Sequence, residues 1–84
     1  MAVTVKFFAS VREAVGTGTV TLDLPAGVAT VGQLREHLSA RGEAWHAALA
    51  SPSLRMACQQ VMCDAATPVV DGMEVAFFPP VTGG

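Results

Sequence analysis

The sequence has little charge and no long apolar run, and these two shortages exclude several classes of protein. Five Lys and Arg residues against seven Asp and Glu residues give its 84 residues a net charge of −2. This balance argues against a nucleic-acid-binding basic face and gives no reason to expect docking on anionic membranes. The apolar stretch near the end, residues 75–81, is too short to span a bilayer. Lys6, Arg12 and Glu13 interrupt any signal-peptide core, so we expect a cytoplasmic protein.

Cysteine is scarce, which excludes a disulfide framework. The two cysteines, Cys58 and Cys63, are five positions apart. On a single strand this odd spacing directs them to opposite faces, so they are not expected to pair. With His37 and His46 they form no recognisable zinc spacing either. The sequence therefore predicts reduced cysteines and no bound metal.

The short chain limits where function can lie. A domain of this size buries only about 60% of its unfolded surface, so we do not expect an active site wholly enclosed by it. The scattered charged residues form no paired carboxylates, Ser-His-Asp set, Cys-His set or phosphate loop. We therefore expect function on a surface, an edge or a terminus, and no catalysis by the chain on its own.

Alternating residues predict two strands at the start of the chain. Residues 2–10 alternate, with Phe8 among polar neighbours on the outward face. A turn at residues 16–18 leads to a second strand at 19–24, and a hairpin is the economical connection.

Helical spacing follows in the middle of the chain. Thr30 and Gln33 have the spacing of a capping box, and Gly42 is a natural stop after the helix. A second, shorter helix is predicted over residues 43–50. The first helix presents one apolar stripe, formed by Val31, Leu34 and Leu38.

Two further strands complete a small α+β domain. One is predicted over residues 54–63 and the last over 73–78, after a turn at 68–72. The element order predicts one main helix packed on a mixed sheet, with the first and last strands side by side. We place the domain at residues 1–78 and an extended tail at 79–84.

The tail is predicted to be extended and to end in two residues without side chains. Pro79 and Pro80 stop the last strand and keep the backbone extended. Gly83 and Gly84 lack side chains, so they could thread a channel too narrow for other residues. Once activated as an acyl phosphate or adenylate, the Gly84 carboxyl carbon would be open to a nucleophile. The alternative is a tail with no role.

Two outward phenylalanines predict a docking surface on the sheet. Phe8 and Phe78 lie on adjacent predicted strands, and Met62 joins them if Val61 and Cys63 face inward. An exposed apolar patch on a small domain often marks a partner site. The alternatives are that the short helix, with Trp45, covers this face or that the register is shifted by one residue.

Three segments carry a resemblance to a known family. They are residues 6–13, the helix at 30–38 and, above all, the terminal sequence DGMEVAFFPPVTGG at 71–84. Together they resemble the small subunits of molybdopterin synthase, the sulfur-carrier proteins of molybdenum cofactor biosynthesis. The similarity runs along the whole chain and implies a ubiquitin-like β-grasp fold.

The resemblance also implies a chemistry for the terminus. A partner similar to ubiquitin-activating enzymes would use ATP to adenylate Gly84, and a sulfur donor system would convert the adenylate to a thiocarboxylate. The tail would then enter the large synthase subunit, where sulfur attacks the cyclic pyranopterin monophosphate precursor. Two deliveries build the dithiolene of molybdopterin. The family implies a heterotetramer, no cofactor bound to this chain, and a pocket that belongs to the large subunit.

The family's docking patch maps onto the outward residues already singled out. The residues implied to bind partners are Phe8, Met62, Phe78, Pro79, Pro80, Val81 and Thr82, while Gly83 precedes the reactive Gly84. One patch serving both partners would make their binding mutually exclusive. The chain departs from the family at Gln59, usually Asn, and at Met73, usually acidic.

Three other functions compete with this interpretation. A thiamine-type sulfur carrier shares the fold and the terminal chemistry but lacks the Phe-Phe-Pro-Pro-Val-Thr sequence before Gly-Gly. A ubiquitin-like modifier would share the adenylation step and then form isopeptide bonds with lysines. A plain interaction module would have an inert tail.

Overall fold

A mixed sheet and short helices make up the computed structural model, which describes residues 2–80. Within that range the elements are β1 (Val3–Phe7), α1 (Ala9–Val15), β2 (Thr19–Leu22), α2 (Val31–Ser39), α3 (Glu43–Leu49), β3 (Arg55–Cys58), β4 (Val61–Cys63) and β5 (Glu74–Phe78).

The five strands lie in the order β2-β1-β5-β3-β4. The central pair, β1 and β5, is parallel, while β1–β2, β3–β5 and β3–β4 are antiparallel. The predicted mixed sheet, the neighbouring first and last strands and the α+β class are therefore confirmed. The first two strands pair antiparallel, but the predicted hairpin connection between them is wrong, because α1 lies between β1 and β2.

The helices cover one face of this sheet, which we call the inner face. Phe7 and Phe77 stack there with ring centroids 6.2 Å apart, and Trp45 of α3 meets Phe7 edge-on at 5.5 Å. The side chains of Leu34 and Leu38 are fully buried in the same core. Each such burial stabilises the fold by about 1.5–3 kcal/mol.

The start of α2 follows the predicted capping box. Thr30 Oγ1 accepts a hydrogen bond from the Gln33 N–H at 3.2 Å, and Gln33 Oε1 accepts one from the Thr30 N–H at 3.1 Å. The helix ends at Ser39, three residues before the predicted stop, and Gly42 is instead the N-cap of α3. The predicted role of Gly42 is therefore wrong.

The first strand is shorter than predicted because a helix interrupts it. The Phe8 carbonyl accepts hydrogen bonds from the N–H groups of Val11 and Arg12, at 3.1 and 3.3 Å, and so begins α1. Val11 and Val15 have helical spacing and pack on the core, whereas the apparent alternation after Phe7 rested on only three residues. The helix ends at Val15 and is capped by Gly16, whose φ of 80° suits glycine.

The predicted strand at 54–63 is two strands joined by a tight turn. Gln59 and Gln60 have φ values of 51° and 66°, the backbone of a two-residue hairpin with both central residues left-handed. Neither residue is Gly or Asn, so the sequence carries no turn signal. The turn brings Cys58 and Cys63 onto opposing strands, and their Sγ atoms lie 3.3 Å apart. The premise that they share one strand, and so face opposite ways, is wrong.

Candidate functional site

The sheet face away from the helices, the outer face, carries an apolar groove of about 660 Å³. Its apolar walls include Phe8, Phe78, Pro79 and Pro80. Two small residues, Ala57 and Ala76, are Cα partners in neighbouring strands and also line it. The full lining is Lys6, Phe8, Ala9, Ala57, Gln60, Glu74, Ala76, Phe78, Pro79 and Pro80.

The parallel ladder between β1 and β5 brings the two groove phenylalanines together. Phe7 is the Cα partner of Phe77, and the Phe8 N–H donates to the Phe77 carbonyl at 3.2 Å, one position beyond β1. Phe8 is 48% exposed, and Phe78 is half-buried. Phe8 thus faces the predicted way, although it caps α1 rather than continuing a strand.

Pro79 and Pro80 follow directly on β5 and are half-buried at the groove. Proline has no N–H to extend a ladder, which agrees with β5 ending at Phe78. The described chain thus reaches Pro80 at the groove. The predicted site residues Val81, Thr82, Gly83 and Gly84 lie outside the described residues, and the division into a domain at 1–78 and a tail at 79–84 stays a prediction.

Met62 lies on the outer face beside the groove. It is the Cα partner of Ala57, a groove residue, and is 58% exposed. Cys63 packs against the core as expected, but Val61 is 67% exposed because it stands at the end of an edge strand. Phe8, Phe78, Pro79 and Pro80 therefore meet in one groove, while Met62 is a neighbour that does not line it.

The alternative that the short helix covers this face is wrong for the described residues. Trp45 packs against Phe7 on the inner face, 5.5 Å between ring centroids, and α3 supplies buried Leu49 to the same core. The groove is open in the described part of the chain.

Polar groups occupy one side of the groove. Lys6 Nζ lies 3.5 Å from Glu74 Oε1, and both side chains are partly exposed, so the pair contributes little to stability. The Gln59 N–H donates to the Glu74 carbonyl at 2.9 Å, and the Glu74 N–H donates to Gln59 Oε1 at 2.6 Å. Gln59, a departure from the family pattern, thus fastens the β3–β4 turn to β5.

Sequence reasoning did not assign the small residues and the polar flank of the groove. Ala76 could have been found, because it alternates with Phe78 in the last strand. Ala57 and Gln60 could not, because their positions depend on the turn that divides residues 54–63. Lys6 and Glu74 meet through the parallel pairing of β1 and β5.

Two further observations concern the described residues as a whole. None of the helices within residues 2–80 has the length and apolarity to cross a bilayer. Over that same range, no three His, Cys, Asp or Glu side chains are grouped so as to hold a metal ion.

Comparison with known proteins places this geometry in a family. Residues 5–84 match the sequence profile of the ThiS family. The molybdopterin synthase sulfur carrier subunit of Escherichia coli is 46% identical over 80 residues, which cover 95% of this chain and 96% of that protein. The terminal residues outside the structural description are therefore within the match.

Solved structures agree with the fold. SAMP1 from Haloferax volcanii, a small archaeal modifier protein, superposes with a TM-score of 0.76 at 29% identity, covering 100% of both chains. A chain of the complex of subunits 1 and 2 of molybdopterin-converting factor from Helicobacter pylori superposes with a TM-score of 0.70 at 25% identity, also covering 100% of both. The expected ubiquitin-like β-grasp fold is confirmed. The chain therefore belongs to the ThiS family and, with its E. coli relative, to the sulfur carrier subunits of molybdopterin synthase.

Proposed function

We propose that Gly84 carries sulfur as a terminal thiocarboxylate and delivers it within molybdopterin synthase. The observation that carries the proposal is the open apolar groove, whose walls include Pro79 and Pro80, the last described residues before the Gly-Gly end. A docking surface whose lining ends four residues before Gly84 in the sequence lets a partner hold the body of the domain while it acts on the tail. The E. coli relative bears the name of this carrier subunit.

The proposed charging of Gly84 takes two steps. In an activating partner similar to ubiquitin-activating enzymes, a carboxylate oxygen attacks the α-phosphorus of ATP and pyrophosphate leaves. A sulfur donor then supplies a nucleophilic sulfur that displaces AMP from the acyl carbon. Glycine has no Cβ to hinder that approach. The product is a thiocarboxylate with one oxygen replaced by sulfur.

Delivery takes place in a second complex. The tail enters the large synthase subunit, where the thiocarboxylate sulfur attacks an oxygen-bearing carbon of the cyclic pyranopterin monophosphate precursor and the bond from that carbon to its oxygen breaks. Water then hydrolyses the resulting thioester, which leaves the sulfur on the precursor and returns the Gly84 carboxylate. The large subunit holds the substrate, so this cytoplasmic chain acts as the small, non-pocket subunit of a sulfurtransferase heterotetramer. The H. pylori neighbour, titled as a complex of subunits 1 and 2, supports such a pairing.

The groove gives the two partners one shared surface. Phe8 and Phe78 present aromatic area to bury, and aromatic side chains contribute much of the binding energy at interfaces. Met62 extends the apolar surface towards β4. Because both partners would cover the same residues, a charged carrier must leave the activating enzyme before it enters the synthase.

Intact-mass spectrometry tests the charging step. The chain is incubated with its activating enzyme, ATP and a sulfur source, and we expect a mass gain equal to the replacement of one oxygen by sulfur, mapped to Gly84. A chain lacking Gly83 and Gly84 is the matched control and should show no gain. No gain on the full chain, with the enzyme active on another carrier, would contradict the proposal.

A ubiquitin-like modifier is the second candidate. It is favoured by the similarity to SAMP1 of Haloferax volcanii, a small archaeal modifier protein. Expression of an affinity-tagged chain in its own cells, followed by a search for isopeptide links from Gly84 to lysine, tests it. Conjugates lost on deletion of Gly84 would support a modifier role, and their absence alongside thiocarboxylate would argue against it.

A further inference from the structure

The β3–β4 hairpin holds two thiols in contact, a feature that the carrier chemistry does not use. Cys58 pairs with Val61 and Cys63 with Met56, so the cysteines are diagonal neighbours on the inner side of the hairpin. Their Sγ atoms are 3.3 Å apart, and both cysteines are free. A disulfide needs an S–S distance of about 2.05 Å. Diagonal neighbours in an antiparallel pair lie about 7–8 Å apart, close to the upper limit of Cα separation for a disulfide. Bonding therefore requires a small twist of the hairpin as well as side-chain rotation.

The two thiols differ in access. Cys58 is buried at 7% exposure, whereas Cys63 is half-buried on the edge strand β4. Burial, and then the neighbouring Cys63, raise the pKa of the Cys58 thiol to about 12, which makes it a poor first nucleophile. A reagent in solution therefore meets Cys63 first.

We propose that Cys58 and Cys63 form a reversible intramolecular disulfide by exchange with a low-molecular-weight disulfide. The Cys63 thiolate attacks one sulfur of the reagent, breaks its S–S bond and releases one thiolate. The Cys58 sulfur then attacks the Cys63 sulfur of the mixed disulfide, while its proton passes to the second departing thiolate. Two protein thiols are oxidised, and the reagent is reduced to two thiols.

This modification site is separate from the groove. Met62 stands between Val61 and Cys63 in β4 and lies on the outer side of the hairpin, whereas the disulfide would form on the inner side. The bond would close the β3–β4 turn covalently and fix the hairpin that carries Met62. Disulfide formation requires neither Gly84 nor any partner, so this proposal does not depend on the proposed function.

Glutathione disulfide is the reagent for the test. The reduced full-length chain is incubated with it, quenched with acid and measured by intact mass, with and without later dithiothreitol. We expect the loss of two hydrogen atoms without an adduct, protection of both cysteines from alkylation, and full reversal by dithiothreitol. A stable glutathione adduct on the wild-type chain, a disulfide-linked dimer, or two freely alkylated thiols would each overturn the proposal.

Two matched variants test the order of attack. Cys58→Ser removes the resolving thiol, so Cys63 should keep its glutathione adduct. Cys63→Ser should react with glutathione disulfide at least about tenfold more slowly than Cys58→Ser, because its remaining thiol is buried. Equal rates in the two variants would overturn the assigned roles. Circular dichroism checks that both variants fold. If Cys58→Ser does not fold, Cys58→Ala is used in its place.

Discussion

Two adjacent phenylalanines in β5 show that the two faces of the sheet have different roles. Phe77 points to the inner face, is fully buried and stacks on Phe7 under α3. Phe78, the next residue, points to the outer face and lines the open groove with Phe8. One residue type therefore serves stability on one face and, by our proposal, recognition on the other. The period-2 backbone of the strand makes this separation possible.

The largest expected effect comes from the inner member of this pair. Phe77→Ala removes a buried ring and leaves a cavity, which costs about 3–5 kcal/mol of unfolding free energy. A domain of this size has about 4–12 kcal/mol in total, so much of its stability would be lost. Urea unfolding monitored by circular dichroism measures the change. A loss below about 1 kcal/mol would contradict the inner-face assignment.

The outer member should affect binding more than stability. Phe78→Ala should weaken docking to both the activating enzyme and the large subunit by about 1.4–2.8 kcal/mol each, or roughly tenfold to a hundredfold. Titration calorimetry with each partner measures this, and the melting temperature serves as the control for folding. Unchanged affinity for both partners would contradict the groove as their shared docking surface.

Alkaline pH should lower stability through the buried thiol on the inner face. The pKa of Cys58 is raised from 9.0 to about 12, so the unfolded chain loses this proton first. Stability is therefore full below about pH 9 and falls as the pH rises towards about 12. Urea unfolding of the reduced chain across this range measures the slope. Cys58→Ala should flatten it, and an equally steep slope in that variant would assign the effect to other groups.

The smallest expected effect is a gain in stability at the β3–β4 turn. Gln60 has a φ of 66°, a left-handed backbone that costs non-glycine residues about 1–2 kcal/mol. Gln60→Gly should relieve most of this strain and, after the entropy cost of glycine, raise the unfolding free energy by about 1 kcal/mol. Thermal unfolding measures it. Gln33→Gly, which breaks the capping box, is the opposite control and should destabilise.

Local patterns predicted the parts of the fold that depend on near neighbours. Thr30 and Gln33 cap α2 reciprocally as their spacing indicates, because both partners lie within one helical turn. Alternation in the last strand assigned Phe78 to the outward face, because successive side chains in a strand point to opposite sides. These signals need no knowledge of the rest of the molecule.

Local patterns failed where the backbone conformation is set by distant partners. The turn at Gln59 and Gln60 has no Gly or Asn, and it is fixed by two hydrogen bonds between Gln59 and Glu74, fifteen residues away. Helix α1 begins where the strand ladder with β5 ends at Phe8, which alternation could not locate. In both cases a single strand was predicted for a segment that tertiary contacts divide into two elements.

Residue type and short-range spacing were enough to predict the α+β class, the capped helix, the alternating faces of β5 and a Gly-Gly end without side chains, because none of these depends on distant parts of the chain. The groove lined by Phe8, Ala57, Ala76 and Phe78, and the contact between Cys58 and Cys63, could be found only in the folded chain. Those contacts require strand order and register, which arise when segments far apart in the chain bury their apolar faces together.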